Sequence, residues 1–328
     1  MKILQIKFFI FILFFLFPNI SFAEKTVVID PGHGGAFRGT CGYSGLDDGF
    51  CEKDANLLVS LKLKEVLEET SDITVHMTRT TDTDFLTEEN IANGETTEAV
   101  DLYNRMTIAN GFVEGNNDNS IFISIHFNQD INSSNTGGTE TYYYDGINHF
   151  KPEFLPNPKQ LELLNENRRL GEIAHTNLLS YLGLRDRELR NDQSFNVIRN
   201  AEMPAILVEI AFMTNLEQER LTKSEDFQWE AAQALADAAI AYFQVYEIFD
   251  ENHNRIETFT EKEKAIAYAE EHSQLTVFDK YRQEVIYPEP EPIAVDMRRL
   301  FYNPMFWKEE LNSKYVTLFR KFLHMRFS

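Results

Sequence analysis

Two histidines and two glutamates stand in this chain at places where side chains do chemistry. The apolar run Val27-Val28-Ile29 breaks into Asp30-Pro31-Gly32-His33-Gly34-Gly35, so a buried strand delivers a histidine onto a glycine-rich turn. Asp30 precedes proline and is pushed towards extended geometry, while the glycines permit tight turning and close approach to a ligand. Ile121-Phe122-Ile123-Ser124-Ile125 ends at His126, Ala205-Ile206-Leu207-Val208 ends at Glu209, and Glu52 opens a helical pattern after the first loop. In open α/β folds, ligands bind beyond the carboxyl ends of the strands. Right-handed crossovers bring the ends carrying His33, Glu52 and His126 to one edge of the sheet. A catalytic zinc (Zn2+) site asks for three nitrogen or oxygen ligands and one open position for water. These three residues fit that demand.

Each also has a plainer reading. A histidine at a strand end is often a hydrogen-bonded loop residue, and Glu52 suits a helix N-terminus by charge alone. A carboxylate such as Glu209 after an apolar run is costly unless partnered. Either it pairs with an arginine, or it is a general base whose pKa the apolar surroundings raise. The shared edge favours the metal and the base. Asn128 is a candidate substrate contact or a strand-capping turn residue, and Arg187 and Asn196 are candidate peptide contacts. His76, His149, His175, His253, His272 and His324 take structural readings.

The elements that must position these residues follow from periodicity. Strands are expected over residues 26–29, 73–78, 121–125, 137–144 and 205–210. Helices are expected from Glu52 through Leu67, over 102–113, over 161–181 ended by Gly183, and over 227–246. Residues 84–101 are acidic and polar and read as an exposed loop with some helix. Strands alternating with helices through residue 246 argue for an α/β domain with a mainly parallel sheet, over residues 24–246. Residues 247–287 read differently, as a small ββαββ unit near the lower size limit for independent folding. Residues 288–292, Pro-Glu-Pro-Glu-Pro, make a stiff spacer. The tail, 293–328, carries seven Lys/Arg against three Asp/Glu and is aromatic. It suits weak contact with an anionic wall or membrane surface, or docking on the chain's own acidic body.

Net charge is −21 over 328 residues, a surface that repels phosphate backbones, so nucleic-acid binding has no support. Residues 1–23 have the layout of a secretory signal peptide. Lys2 and Lys7 form a basic start, an apolar run to Phe17 is too short to span a bilayer, and Ser21 and Ala23 suit the cleavage site. The mature chain is therefore expected to be secreted, to a periplasm, a cell wall or the medium. Its two cysteines, Cys41 and Cys51, flank the loop leading to Glu52. In a disulfide-permissive compartment they are expected to pair, with zinc ligation and free thiols as the other readings.

Several motifs occur in one order: Asp30-Pro31-Gly32-His33-Gly34-Gly35, Glu52-Lys53-Asp54, Thr78-Arg79, Arg105 with Ala109-Asn110, Ser124-Ile125-His126-Phe127-Asn128, Gly138-Thr139-Glu140-Thr141-Tyr142-Tyr143 and Pro204-Ala205-Ile206-Leu207-Val208-Glu209. Together they resemble the zinc-dependent N-acetylmuramoyl-L-alanine amidases of bacterial cell-wall hydrolases, over residues 26–246. The resemblance implies a mostly parallel six-stranded sheet flanked by helices. It implies peptidoglycan as substrate, cut at the amide between N-acetylmuramic acid and L-alanine. It matches His33, Glu52 and His126 to the zinc ligands and Glu209 to the catalytic glutamate. The chain departs from the family in a longer segment between Asp82 and Arg105 and in its cysteine pair. The inhibitory helix of some members has no counterpart in residues 145–159. A zinc peptidase or deacetylase, or a wall-binding protein without activity, are the rival readings.

Overall fold

The computed structural model describes residues 24–42, 48–148, 150–155, 157–259, 262–280 and 284–288. The expected leader, the basic tail, most of the spacer, His149 and His324 lie outside the described residues. The chain divides into two compact units, one ending at Tyr242 and the other beginning at Phe243.

The first unit is built on a six-stranded sheet. β1 (Thr26–Pro31), β3 (Ser120–Asn128) and β6 (Ala205–Phe212) form its centre, flanked by β2 (Thr74–Met77) on one side and by β4 (Thr139–Tyr143) and β5 (Asp186–Asn191) on the other. The order is β2-β1-β3-β6-β4-β5. β2, β1, β3 and β6 run parallel, whereas β4 runs antiparallel to β6 and carries β5 parallel to itself. The continuous apolar runs read from sequence are the central strands, buried on both faces by helices. α1 (Glu52–Thr70), α2 (Glu88–Asn93), α3 (Glu98–Gly111), α4 (Pro158–Glu162), α5 (Leu164–Leu182), α6 (Asn196–Asn200), α7 (Leu216–Thr222) and α8 (Glu225–Phe243) complete the unit. Among the described residues no helix is long and apolar enough to cross a membrane.

Three elements differ from the periodicity. The helix expected over 161–181 is two, because Asn157 caps α4 with Pro158 at its first position and the chain turns again at Leu163. Gln160 is drawn inward there, its amide donating to the carbonyls of Ala201 and Met203 at 2.7 and 3.0 Å. α3 starts at Glu98 rather than residue 102, since the Thr97 side chain accepts from the Val100 N–H. β5, Asp-Arg-Glu-Leu-Arg-Asn, was not expected as a strand; it lies at the sheet edge and needs no apolar alternation.

The second unit is a four-stranded antiparallel sheet of order β10-β9-β7-β8. It comprises β7 (Tyr246–Phe249), β8 (Arg255–Phe259), α9 (Lys262–Glu271), β9 (Thr276–Asp279) and β10 (Glu284–Tyr287). Tyr246, Ile248, Ala265, Ala269 and Val277 make its small core.

One buried ion pair ties the first loop to the sheet. Asp30 is wholly buried, and its carboxylate accepts from Thr78 Oγ1 at 2.6 Å, Ser124 Oγ at 2.7 Å and Arg105 Nη1 at 3.0 Å. Burial opposes its ionisation, but the Arg105 guanidinium and the two hydroxyls outweigh that and hold its pKa below the usual carboxylate range. Arg105 also donates to the carbonyls of Pro31 and His33, at 2.8 and 2.7 Å. Arg79 donates to the carbonyls of Pro31 and Gly32, and Asn56 to that of Gly32. The Pro31–His33 backbone is thus gripped carbonyl by carbonyl.

Arg105→Met should strand the Asp30 charge and cost about 3–5 kcal/mol of stability, read as a lower urea midpoint at pH 7. Because the folded pKa of Asp30 is lowered, its contribution is complete above about pH 4 and fades as pH falls further. The gap between parent and variant should therefore narrow in acid. Equal midpoints at pH 7 would show that the pair does not carry the fold.

Candidate metal centre

β3 and β6 set His126 directly beside Glu209, the two being register partners, and β4 sets Glu140 on the other side of Glu209. Neither His126 nor Glu209 ends its strand, as sequence had suggested. β3 runs on to Asn128 and β6 to Phe212, with a register shift just past His126. That irregularity lets both side chains serve a site while their strands continue.

His33 comes from the loop after β1. Its backbone lies at φ +59°, a left-handed conformation uncommon for a residue with a side chain. Glu52 comes from the first turn of α1. Its carboxylate stands between the two imidazoles, Oε1 at 2.8 Å from His126 Nδ1 and Oε2 at 3.2 Å from His33 Nε2. The backbone N–H groups of Phe127 and Thr40 donate to the same two oxygens. One ligand atom from each of His33, Glu52 and His126 lies within 4.8 Å of the others. Glycine is required around them. A Cβ at Gly32 would lie 2.2 Å from His126 Nε2, and one at Gly39 would lie 2.4 Å from Glu52 Oε2.

The electrostatics separate the acids. Burial works against the Glu52 charge, yet hydrogen bonds from His126 and His33 prevail and keep its pKa well below normal. For His33 the bond to Glu52 overcomes burial and raises the pKa; for His126 burial wins and lowers it. Glu209 faces the opposite environment. Burial first, then the negative charges of Glu52 and Glu140, push its carboxyl well above the usual range. Among the described residues Glu209 makes no ion pair, and its buried Oε2 has no hydrogen-bond partner. The arginine partner considered from sequence belongs to Glu140 instead, with Arg187 Nε at 2.8 Å and Arg190 Nη2 at 3.6 Å.

Two imidazoles and one carboxylate, converging beside a carboxyl with an idle oxygen, match the ligand set of a catalytic zinc ion. His33, Glu52, His126 and Glu209 line one pocket of about 270 Å³, together with Asn128, Asn196 and Phe195. Asn128 donates to Glu140 Oε2 at 2.7 Å, and Asn196 accepts from Asn200 at 3.1 Å. Arg187 is not on the pocket wall: it binds Glu140 and packs over the Phe212 ring. Cys41 and Cys51 are joined sulfur to sulfur at the start of α1. Sequence reasoning gave no role to Asp30, Arg79, Arg105 or Glu140. The signal available was a charged residue inside an apolar run, with buried arginines elsewhere to answer it.

The sequence pattern of the N-acetylmuramoyl-L-alanine amidases matches residues 27–241. The chain belongs to that family. It is 31% identical to the uncharacterized protein YqiI of Bacillus subtilis (strain 168), across 67% of this chain and 85% of YqiI. It is 28% identical to the N-acetylmuramoyl-L-alanine amidase LytC of the same strain, across 67% of this chain but 36% of LytC. Among solved structures, the catalytic domain of the amidase CwlV from Bacillus (Paenibacillus) polymyxa var. colistinus shares 31% identity. That likeness covers 67% of this chain and 98% of the CwlV domain, with a TM-score of 0.51. The amidase match thus ends with α8, ahead of the small second unit.

In the metal-free amidase, a raised Glu209 pKa means that the folded state holds a proton which the unfolded chain releases. Stability should then fall as pH rises above about 4.3, the ordinary glutamate value. Glu209→Gln should therefore raise the thermal midpoint of the metal-free protein at pH 7–8. The gain should shrink towards pH 4. A variant less stable than the parent at pH 8 would contradict the charge crowding described.

Proposed function

We propose that this amidase is an exported zinc enzyme that hydrolyses the amide joining N-acetylmuramic acid to L-alanine in peptidoglycan, with His33, Glu52 and His126 as metal ligands. Family membership supplies the reaction class, hydrolysis of a cell-wall amide. The observation that carries the finer reading is the convergence of those three side chains on one pocket with Glu209, whose Oε2 has no other partner. A zinc ion held there supplies a Lewis acid for the scissile carbonyl and renders water acidic enough to react near neutral pH.

The remaining steps belong to the chain itself. Glu209 takes the proton from the attacking water and returns it to the departing L-alanine nitrogen, an acid–base role worth roughly 10²–10⁴ in rate. A carboxyl whose pKa burial and neighbouring charges raise binds a proton more readily than a solvated glutamate, which suits it to accept the proton of water. Glu52 keeps its charge, since its surroundings favour the anion that a ligand must be. Asn128 and Asn196 offer amide groups on the pocket wall for the stem peptide. Export is supported by the leader-like first 23 residues and by a relative named a probable cell wall amidase, LytH of Staphylococcus aureus.

Purified peptidoglycan incubated with the full chain should yield stem peptides bearing a new L-alanine amino terminus, and a chelator should abolish the release. Products carrying any other new terminus would reassign the bond that is cut. Glu209→Gln should keep its zinc, measured by elemental analysis, while turnover drops by a factor on the order of 10² or more. Loss of zinc in that variant would make Glu209 a ligand rather than the proton carrier.

A further inference from the structure

Thr40 holds Glu52 at two points. Its carbonyl accepts from the Glu52 N–H at 2.7 Å, and its own N–H donates to Glu52 Oε2 at 3.0 Å. Two residues back along the loop, the Arg38 carbonyl accepts from the Lys53 N–H at 3.2 Å. Between them Gly39 comes so close that a Cβ would also meet the His33 ring at 2.6 Å. The segment from Arg38 to Thr40 is therefore laid directly against two of the three ligands. Immediately outside this contact, the Cys41–Cys51 bridge joins the residue after Thr40 to the residue before Glu52.

Gly42 and Asp48 of the cysteine loop are anchored away from the ligands. Lys223, just past α7, reaches Asp48 at 2.7 Å and Glu219 at 3.2 Å, and Gly42 lies against Met213 and Glu219. Cys51 is buried, caps α1, and its N–H donates to Asp54 at 2.8 Å. The Thr40 carbonyl bond is a neutral main-chain pair of modest net worth, and the bond from its N–H to the Glu52 carboxylate is the stronger of the two, but the pair alone leaves the loop edge able to open. A covalent link across a short loop removes the open states in which Thr40 would leave Glu52.

We propose that the Cys41–Cys51 disulfide is a positioning device for the metal centre, holding Thr40 on Glu52 so that the carboxylate keeps its ligand orientation. The affinity of the site for zinc then depends on the bridge. This rests on His33, Glu52 and His126 being the zinc ligands. Removing groups that orient a metal ligand typically weakens affinity on the order of 10- to 100-fold, and that is the loss expected here. Glu52 would retain its imidazole neighbours but lose the amide that fixes Oε2.

The test compares the oxidised full chain with its Cys41→Ser/Cys51→Ser double variant, which has no thiols to bind metal. Zinc dissociation constants are measured by competition with a chromophoric chelator, and circular dichroism follows the fold. A 10- to 100-fold weaker variant with an unchanged spectrum supports the proposal. An unchanged dissociation constant overturns it. If the oxidised parent binds no zinc at all, the metal-centre reading fails and this inference falls with it.

Should the variant fail to fold, the zinc-loaded parent is treated with a phosphine. The phosphine takes oxygen from water to become its oxide, and each sulfur gains a proton. With the chromophoric chelator present, a roughly 10- to 100-fold shift of zinc towards it that tracks the appearance of two thiols, with the spectrum preserved, supports the proposal. An unchanged partition with both thiols free, or a shift only as the fold is lost, overturns it.

Discussion

Asp30 keeps its charge where no water reaches it, and the carboxyl edge of the sheet is arranged around that charge. Its cation, Arg105, arrives from α3 and also donates to the carbonyls of Pro31 and His33. Arg79 arrives from the end of β2 and takes the carbonyls of Pro31 and Gly32. A histidine at positive φ costs about 1–3 kcal/mol of backbone strain. Hydrogen bonds from a charged donor contribute about 1.5–3 kcal/mol each, so several of them on three successive carbonyls outweigh the strain. The backbone that carries His33 is thus held by the guanidinium groups of Arg105 and Arg79, and its imidazole by Glu52.

With His33 fixed, the site becomes a contrast between acids of the same kind. Glu52 and Glu209 are both buried and both line the pocket. Glu52 is surrounded by two imidazoles and two backbone N–H groups, all of which favour the anion. Glu209 meets two other carboxylates and no cation, all of which favour the acid. Environments that push two carboxyls apart in this way assign their roles: one stays charged to hold a metal, the other carries protons.

Much of this was legible in the chain because burial leaves a period. The central strands β1, β3 and β6 are apolar on both faces and announce themselves. His33, Glu52, His126 and Glu209 are polar residues set against that background, and a shared edge for the first three followed from parallel topology. What periodicity missed has physical reasons. β5 is a charged edge strand with partners on one side only. Gln160 breaks one long helical pattern into α4 and α5 by turning inward to two carbonyls, a contact no window of sequence contains. His126 and Glu209 looked like strand ends because an apolar run stops at each, whereas the strands continue past them. Arg187 looked free to meet substrate, but its partner Glu140 lies 47 residues away in the chain.

The reversal of strand direction at β4 explains why Glu209 is left without a counter-charge. Across the parallel pair its neighbour is His126, which is already turned to Glu52. Across the antiparallel pair its neighbour is Glu140, and the cations on that side come from β5, the strand next to β4. Arg187 and Arg190 therefore reach Glu140 first, and Asn128 and Tyr142 satisfy its second oxygen. Glu140 is paired from outside the sheet centre and acts on Glu209 as a screened but still negative neighbour. Two carboxylates and a histidine share one row of the sheet, with Glu52 reaching in from α1, and strand order decides which acid receives no partner.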